Sequence, residues 1–235
     1  MMFSFLYNPG KFLEFADKSY IYLRHAVVYL LSISLVYALL FSPDDYQQGL
    51  TVKIMYIHVP SAWLGMFTYL LMTIYCILAF AFKINFGHIF VKAAAPIGAT
   101  FTLICLISGS LWGKPMWGTW WVWDARLTSV FILFIFYIII IIFSRSFENI
   151  IVGEKITSIF VLLGSINLPL IKYSVDWWNT LHQPASVSKL SSPSIELSML
   201  IPLILMSVSF LLLFLLILNV RLRAEINLRK ILIND

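Results

Sequence analysis

Six apolar runs alternate with short polar segments along the chain, and each run is long enough to cross a lipid bilayer as a helix. A bilayer core of about 30 Å needs about 20 apolar residues in helical conformation. The runs cover approximately residues 21–41, 54–82, 91–111, 127–143, 156–173 and 195–220. The pattern predicts an all-α, polytopic integral membrane protein in which six transmembrane helices form a single domain over residues 1–235.

The fifth run is the shortest, and it contains two residues that interrupt a regular helix. Asn167 and Pro169 lie inside it. A proline within a helix removes one backbone hydrogen bond and its ring clashes with the preceding turn. We therefore expect a bend in this helix.

The composition agrees with a membrane protein. Of 235 residues, 61% are hydrophobic and only 11% are charged, whereas soluble domains contain about 25% charged residues. The formal net charge is +5. In a membrane protein that contacts lipid, such an excess normally comes from basic residues in the cytoplasmic loops, so it does not indicate a nucleic-acid partner.

The basic residues are distributed unequally between the two sides of the predicted bundle. Six spans place both termini on one side, and 11 of the 16 Lys and Arg residues lie on that side. Those residues are Lys11, Lys18, Arg24, Lys83, Lys92, Arg145, Lys155, Arg221, Arg223, Arg229 and Lys230. Since cytoplasmic loops carry the excess of Lys and Arg, we expect both termini in the cytoplasm.

A tryptophan-rich segment, residues 112–126, lies on the opposite, outer side between the third and fourth runs. If it is helical, four indoles and one carboxylate fall within an arc of about 160°, with a guanidinium on the other side. The residues on that arc are Trp117, Trp120, Trp121, Trp123 and Asp124, and the guanidinium is that of Arg126. The pattern predicts a short amphipathic helix with a continuous indole face.

These residues have structural interpretations as well. Tryptophans near membrane interfaces commonly form an anchoring belt. Asp124 is suited to cap the fourth span, and the Arg126 side chain could extend to lipid head groups. However, all eight tryptophans lie on or near the outer side, whereas a belt would occupy both interfaces. The one-sided placement favours a surface or pocket for a flat ligand.

Two of the four histidines, His58 and His182, lie at the outer side, each close to tryptophan in sequence. A single interfacial histidine is usually structural. Two of them beside an indole surface are compatible with haem, a flat ligand whose iron accepts two axial imidazoles. Arg126, Lys114 or Lys53 could then pair with the haem propionates.

The sequence excludes several other chemistries. It contains no Walker A loop, no H-E-x-x-H, no Cys/His zinc spacing and no G-x-S-x-G,. It also lacks C-x-x-C-H, so haem would not be attached to this chain through thioethers,. The two cysteines, Cys76 and Cys105, lie inside apolar runs and are typical packing residues,. No residue is predicted to be catalytic.

The stretch Trp117-Gly-Thr-Trp-Trp-Val-Trp-Asp-Ala-Arg-Leu-Thr-Ser129 resembles the "WWD" signature of haem-handling membrane proteins in cytochrome c maturation. The contexts Ile57-His-Val-Pro-Ser-Ala-Trp63 and Leu181-His-Gln-Pro-Ala-Ser186 extend the similarity over essentially the whole chain. Within that group, the short length, the six spans and the single pair of outer histidines resemble the haem exporter protein C family.

The resemblance implies a haem-binding protein of the bacterial inner membrane with its site on the periplasmic side. Haem b would be ligated by His58 and His182, with the segment from Trp117 to Asp124 against its edge. The protein would deliver haem to a membrane-anchored haem chaperone. The implied partners also include a small single-span subunit and the ATPase and permease subunits of an ABC transporter.

Two other functions remain open from the residues alone. One is a permease, moving haem or another small molecule across the bilayer as a subunit of an ABC-type complex. Such a path would be lined by polar or charged residues at mid-span, and these runs contain few of them,. The other is a scaffold without ligand. Promotion of covalent haem attachment to the chaperone also stays open, although the bond-forming histidine would then belong to the chaperone.

Overall fold

The computed structural model describes residues 7–183, 187 and 192–234, with side chains up to residue 231. Within these residues the protein consists of helices joined by short connections. The helices are α1 (Pro9–Val36), α2 (Met55–Phe82), α3 (Phe86–Trp117), α4 (Ala125–Ser146), α5 (Ile150–Ser165), α6 (Asn167–Trp177) and α7 (Leu197–Asn234). A π-helical turn, Tyr37–Phe41, extends α1, and a 3₁₀ turn, Leu50–Ile54, precedes α2.

In the part of the chain that the structure describes, six continuous or paired helical stretches are long and apolar enough to span a membrane, which confirms the predicted all-α six-helix class. They are Pro9–Phe41, Leu50–Phe82, Phe86–Trp117, Ala125–Ser146, Ile150–Trp177 and Leu197–Ile231. They extend beyond the predicted runs at most ends, because hydropathy marks only the stretch suited to lipid. The helix itself continues to a capping residue such as Asn8, whose side chain accepts a hydrogen bond from Lys11 N at 3.1 Å,.

The fifth span is interrupted where Asn167 and Pro169 predicted a bend. It consists of α5 and α6, separated at Ile166, whose backbone N–H turns back to the Leu163 carbonyl. The Asn167 side chain is buried and donates from Nδ2 to the Ser129 carbonyl of α4 at 2.8 Å. That bond ties the break to the neighbouring helix.

The predicted short amphipathic helix in the tryptophan-rich segment is wrong, and with it the continuous indole face. α3 ends at Trp117 because Gly118 adopts a left-handed conformation, φ +75°, and its N–H bonds back to the Lys114 carbonyl,. Residues 118–124 are non-helical. Helix α4 begins only after Asp124, whose carboxylate caps it by accepting from Leu127 N at 2.8 Å. Gly118, which ends one helix, and Asp124, which caps the next, therefore outweigh the helical periodicity of the residues between them.

Helices α2 and α3 share the most extensive interface, and α3 is the most buried of the six spans. α7 packs on this pair and on α1, while α4 contacts α3, α5 and α6. The hydroxyl of Tyr137 from α4 donates to the Gly65 carbonyl of α2 at 2.7 Å, within the core. The tryptophan end of α2 and α3 thus belongs to the two helices that share the most extensive interface in the bundle.

Ion pairs join the helices at the opposite end of the bundle. Arg223 of α7 lies 2.7 Å from Asp17 of α1, and Arg145 of α4 lies 2.6 Å from Glu225 of α7. Arg229 of α7 pairs with Glu154, which is buried at 6% exposure on α5. These contacts fix the end of α7 that carries the carboxyl terminus against three neighbouring helices.

Candidate functional site

His58 lies in the first turn of α2, and its imidazole is buried against α3. Its Nδ1 atom is 3.1 Å from the carbonyl oxygen of Cys105 and 3.1 Å from the hydroxyl oxygen of Ser108. Both partners lie on α3, near its tryptophan end. The closely packed α2–α3 pair therefore sets the position of this ring.

Two further residues of α3 enclose the His58 ring. A Cβ atom built on Gly109 would lie 3.0 Å from His58 Cε1, so only glycine leaves the ring its full space. The indole of Trp112 meets the imidazole edge-on, with ring centroids 5.7 Å apart. Trp112 is itself held because its Nε1 donates to Gln48 Oε1 at 2.9 Å.

His182 lies in the short segment that follows α6. Its backbone N–H donates to the Thr180 hydroxyl at 3.2 Å, and its Nδ1 is 3.3 Å from the Gln183 carbonyl. Burial lowers the pKa of His182 below its usual 6.5, and the positive charge of Arg126 lowers it further. The hydrogen bond to Gln183 and the negative charge of Asp124 oppose that shift. The ring is consequently neutral at pH 7.

The two histidines, 124 positions apart in the chain (182 − 58), are neighbours in the structure. Their ring centroids are 6.4 Å apart and their planes are inclined by 29°. A metal–imidazole bond of about 2.0 Å, with about 1.2 Å from that nitrogen to the ring centre, puts two rings about 6.4 Å apart across one metal ion. The observed separation thus fits two imidazoles that share one metal ion.

The surrounding donors restrict what kind of metal site this can be. Among the described residues, no group of three or more His, Cys, Asp or Glu side chains is placed to hold a metal ion. Two imidazoles alone leave most coordination positions of a transition metal unfilled. A ligand that brings its own equatorial nitrogens, as a porphyrin does, fits such a two-donor site.

Arg126 and Asp124 lie beside the histidines at the start of α4. Arg126 Nε donates to the Ser174 hydroxyl of α6 at 2.6 Å. Asp124 uses Oδ1 to cap α4, while its Oδ2 atom is buried without a hydrogen-bond partner among the described residues. The site therefore holds one charged donor group and one acceptor atom with unused hydrogen-bonding capacity.

The four indoles predicted to share one face are divided into three environments. Trp117 lies next to His182, with ring centroids 6.2 Å apart. Trp120 is 55% exposed and lies under the Lys114 ammonium, which is 5.8 Å from its ring. Trp121 and Trp123 pack edge-on against each other, at 5.5 Å between centroids, and both contact Phe131.

Trp121 and Trp123 line an apolar groove of about 480 Å³ between α3 and α4. The other lining residues are Leu103, Leu106, Ile107, Ser110, Leu111, Phe131 and Phe134. His58 and His182 do not line it, so the groove and the pair of imidazoles are separate features. The Trp121 Nε1–H is buried and has no hydrogen-bond partner within the described part of the chain.

Several residues that contact or orient the His58 ring were not predicted from the sequence. Ser108, Gly109 and Trp112 contact the His58 ring, and Gln48 orients Trp112. Ser108 and Trp112 are four positions apart, so helical periodicity places them on one face of α3. The sequence does not show that this face of α3 packs against His58, because the contacting residues are about 50 positions apart.

The chain is similar to known proteins over nearly its whole length. The profile of the family described as Heme exporter protein C matches residues 2–234. A Heme exporter protein C from Bradyrhizobium diazoefficiens is 48% identical over 226 residues, covering 96% of this chain and 86% of that protein. The Heme exporter protein C from Haemophilus influenzae is 47% identical, covering 84% of this chain and 80% of that protein.

A plant protein is also similar. A putative cytochrome c biosynthesis ccmC-like mitochondrial protein from Marchantia polymorpha is 46% identical over 182 residues, covering 77% of each chain. The profile match includes every residue of the candidate site, from His58 to His182. On this evidence the chain belongs to the Heme exporter protein C family.

Proposed function

We propose that this protein binds haem b between the His58 and His182 imidazoles and delivers it to a membrane-anchored haem chaperone for cytochrome c maturation. The family match and the names of the relatives indicate haem handling in cytochrome c biogenesis. The ligand set, the contribution of the tryptophan-rich segment and the delivery step are the parts that this proposal adds.

The observation that carries the proposal is the distance between the two imidazoles. Their centroids are 6.4 Å apart, a separation at which His58 and His182 would both be able to hold one iron. Haem supplies four equatorial nitrogens, which is why two protein donors suffice. Both rings are available as ligands, since His182 is neutral at pH 7 and His58 has only Nδ1 engaged.

The chain's own residues suit a ligand that must enter and leave. His58 is fixed between packed helices, whereas His182 lies on a segment held by local hydrogen bonds. Trp117, adjacent to His182, offers an indole to the ligand, and Asp124 lies near the same ring. Trp120, Trp121 and Trp123 lie in other environments, so we propose for them a contact with the outer part of the haem or with the haem chaperone.

Arg126 is the best of three candidates to pair with a haem propionate. Its positive charge lies near enough to His182 to lower the pKa of that ring, and it has guanidinium N–H groups beyond the one that bonds Ser174. Lys114 donates to the Gly118 carbonyl, and Lys53 donates to the Leu39 carbonyl and pairs with Asp44. Arg126 also presents planar, bidentate donors that match a carboxylate.

We place the site on the periplasmic side of a bacterial inner membrane, because the side with both termini has most of the Lys and Arg residues,. The haem chaperone would approach from that side. A small single-span subunit and the ATPase and permease subunits of an ABC transporter complete the set of proposed partners.

The test is haem binding by purified protein in lipid nanodiscs. His58→Ala and His182→Ala are each expected to lower haem content and to abolish the low-spin spectrum of bis-imidazole iron. His25→Ala is the matched control, since His25 is exposed on α1 and bonds only its own helix at Ile21. Haem content and spectra unchanged in both site variants would refute the proposed ligand pair.

A further inference from the structure

The hydrogen bonds of His58 determine which of its two nitrogens can face a ligand. Nδ1 lies 3.1 Å from the Cys105 carbonyl oxygen. A carbonyl oxygen can only accept, so Nδ1 must carry the hydrogen. In a neutral imidazole the lone pair then lies on Nε2.

Ser108 provides a second acceptor for the same hydrogen. Its hydroxyl oxygen is 3.1 Å from His58 Nδ1. The hydroxyl hydrogen is already used, because Ser108 donates to the Ile104 carbonyl at 2.6 Å. The oxygen therefore offers a lone pair to His58, and the Nδ1–H bond is shared between Cys105 and Ser108.

We propose that Ser108 is a positioning residue which, together with the Cys105 carbonyl, holds His58 as the Nδ1–H tautomer and directs Nε2 toward the ligand. The identity of that ligand, haem, rests on the function proposed above. The tautomer is a property of the chain itself. Ligating histidines generally donate their other N–H to a carbonyl or a carboxylate, which fixes the ring and makes it a stronger ligand.

The second histidine is held differently, which makes the Ser108 contact specific to His58. The partner of His182 Nδ1 is the carbonyl of the next residue, Gln183, at 3.3 Å. That bond lies within one loop and does not join two helices. Loss of the Ser108 hydroxyl should consequently change one ligand of the pair and leave the other unaltered.

The first experiment uses haem-free protein, with ¹⁵N-labelled histidine, in lipid nanodiscs. NMR is expected to show His58, assigned by its absence from His58→Ala, as the Nδ1–H tautomer. Ser108→Ala should keep this tautomer, since the Cys105 carbonyl still accepts from Nδ1, but should shift the His58 Nδ1 resonance because one of its two acceptors is lost. Ser144→Ala is the matched control, because Ser144 is equally buried on α4 and bonds only its own helix at Ile141. An Nε2–H tautomer in the unaltered protein, or a Ser108→Ala spectrum identical to the control, would overturn the inference.

The second experiment measures haem retention and reduction potential in the loaded protein. Ser108→Ala should weaken retention about tenfold, and should move the potential to more positive values because a less polarised imidazole donates less charge to iron. Ser108→Thr, which keeps the hydroxyl, should restore both, and Ser144→Ala should change neither. Ser108→Ala that matches Ser144→Ala in both measurements refutes the positioning role. If the unaltered protein retains no haem, the proposed function fails, and the tautomer measurement alone decides the inference.

Discussion

Gly109→Ala tests whether the space around His58 is as restricted as the structure indicates. The added methyl carbon would lie 3.0 Å from His58 Cε1 and 3.5 Å from Nδ1. Carbon atoms pack best about 3.5–4.0 Å apart, so the ring or the α3 backbone must move by roughly 0.5 Å. His58 cannot simply turn away, because Cys105 and Ser108 hold Nδ1 from the same helix.

The consequence should be larger for the ligand than for the fold. Cε1 lies between the two ring nitrogens, so a push on it displaces Nε2. A shift of about 0.5 Å exceeds the tolerance of about 0.2 Å in metal–ligand distances. We expect haem retention to fall about 10- to 100-fold, whereas overpacking should lower the free energy of unfolding by only about 1–3 kcal/mol.

The assay compares haem content, absorption spectrum and thermal unfolding of Gly109→Ala with those of Gly10→Ala. Gly10 is also helical, and its added methyl would lie 3.4 Å from the Asn8 side chain, an ordinary contact near the helix end. Haem content and spectrum equal to those of Gly10→Ala would show that the His58 position does not depend on the Gly109 contact. The reasoning about the ring's confinement would then be wrong.

Three further outcomes follow from single contacts. Trp112→Phe removes the hydrogen bond to Gln48 Oε1, which should lower the free energy of unfolding by about 0.5–1.5 kcal/mol. If Trp112 and Gln48 act as a pair, the double variant with Gln48→Leu should be only slightly less stable than Trp112→Phe alone. Glu154→Gln leaves Arg229 without its buried partner and should lower unfolding stability by about 3 kcal/mol; a change below 1 kcal/mol would contradict this. The lowered pKa of His182 means that, as pH falls below about 6.5, the unfolded chain takes up a proton before the folded protein does. The haem-free protein should therefore lose stability relative to His182→Ala over that range, and parallel pH profiles would exclude the shift.

Hydropathy was sufficient for the six spans because lipid imposes one strong condition on every residue of a span. The break between α5 and α6 was also predictable, since Asn167 and Pro169 disfavour a regular helix locally,. The tryptophan-rich segment was different. Its periodicity suggested a helix, but Gly118 ends α3 and Asp124 begins α4. Both signals are present in the sequence, but each is a single residue, whereas the helical periodicity extends over the whole segment.

The two histidines illustrate what residue types can and cannot provide. Their placement on one side, next to tryptophans, was enough to pair them as candidates. The distance of 6.4 Å between their ring centroids was not predictable. The contacts of the His58 ring with Ser108, Gly109 and the Cys105 carbonyl were not predictable either. Those contacts depend on how α2 packs against α3, a long-range arrangement on which local patterns have no bearing.

The unequal anchoring of the two imidazoles has a directional consequence. One is hydrogen-bonded to a neighbouring helix, and the other is hydrogen-bonded only within the segment that carries it. A ligand bound by both imidazoles would have one donor on a packed helix, His58, and one donor on a connecting segment, His182. In the proposed haem complex, a recipient would therefore be expected to replace His182 as a donor rather than His58, which the contact between α2 and α3 would keep in place.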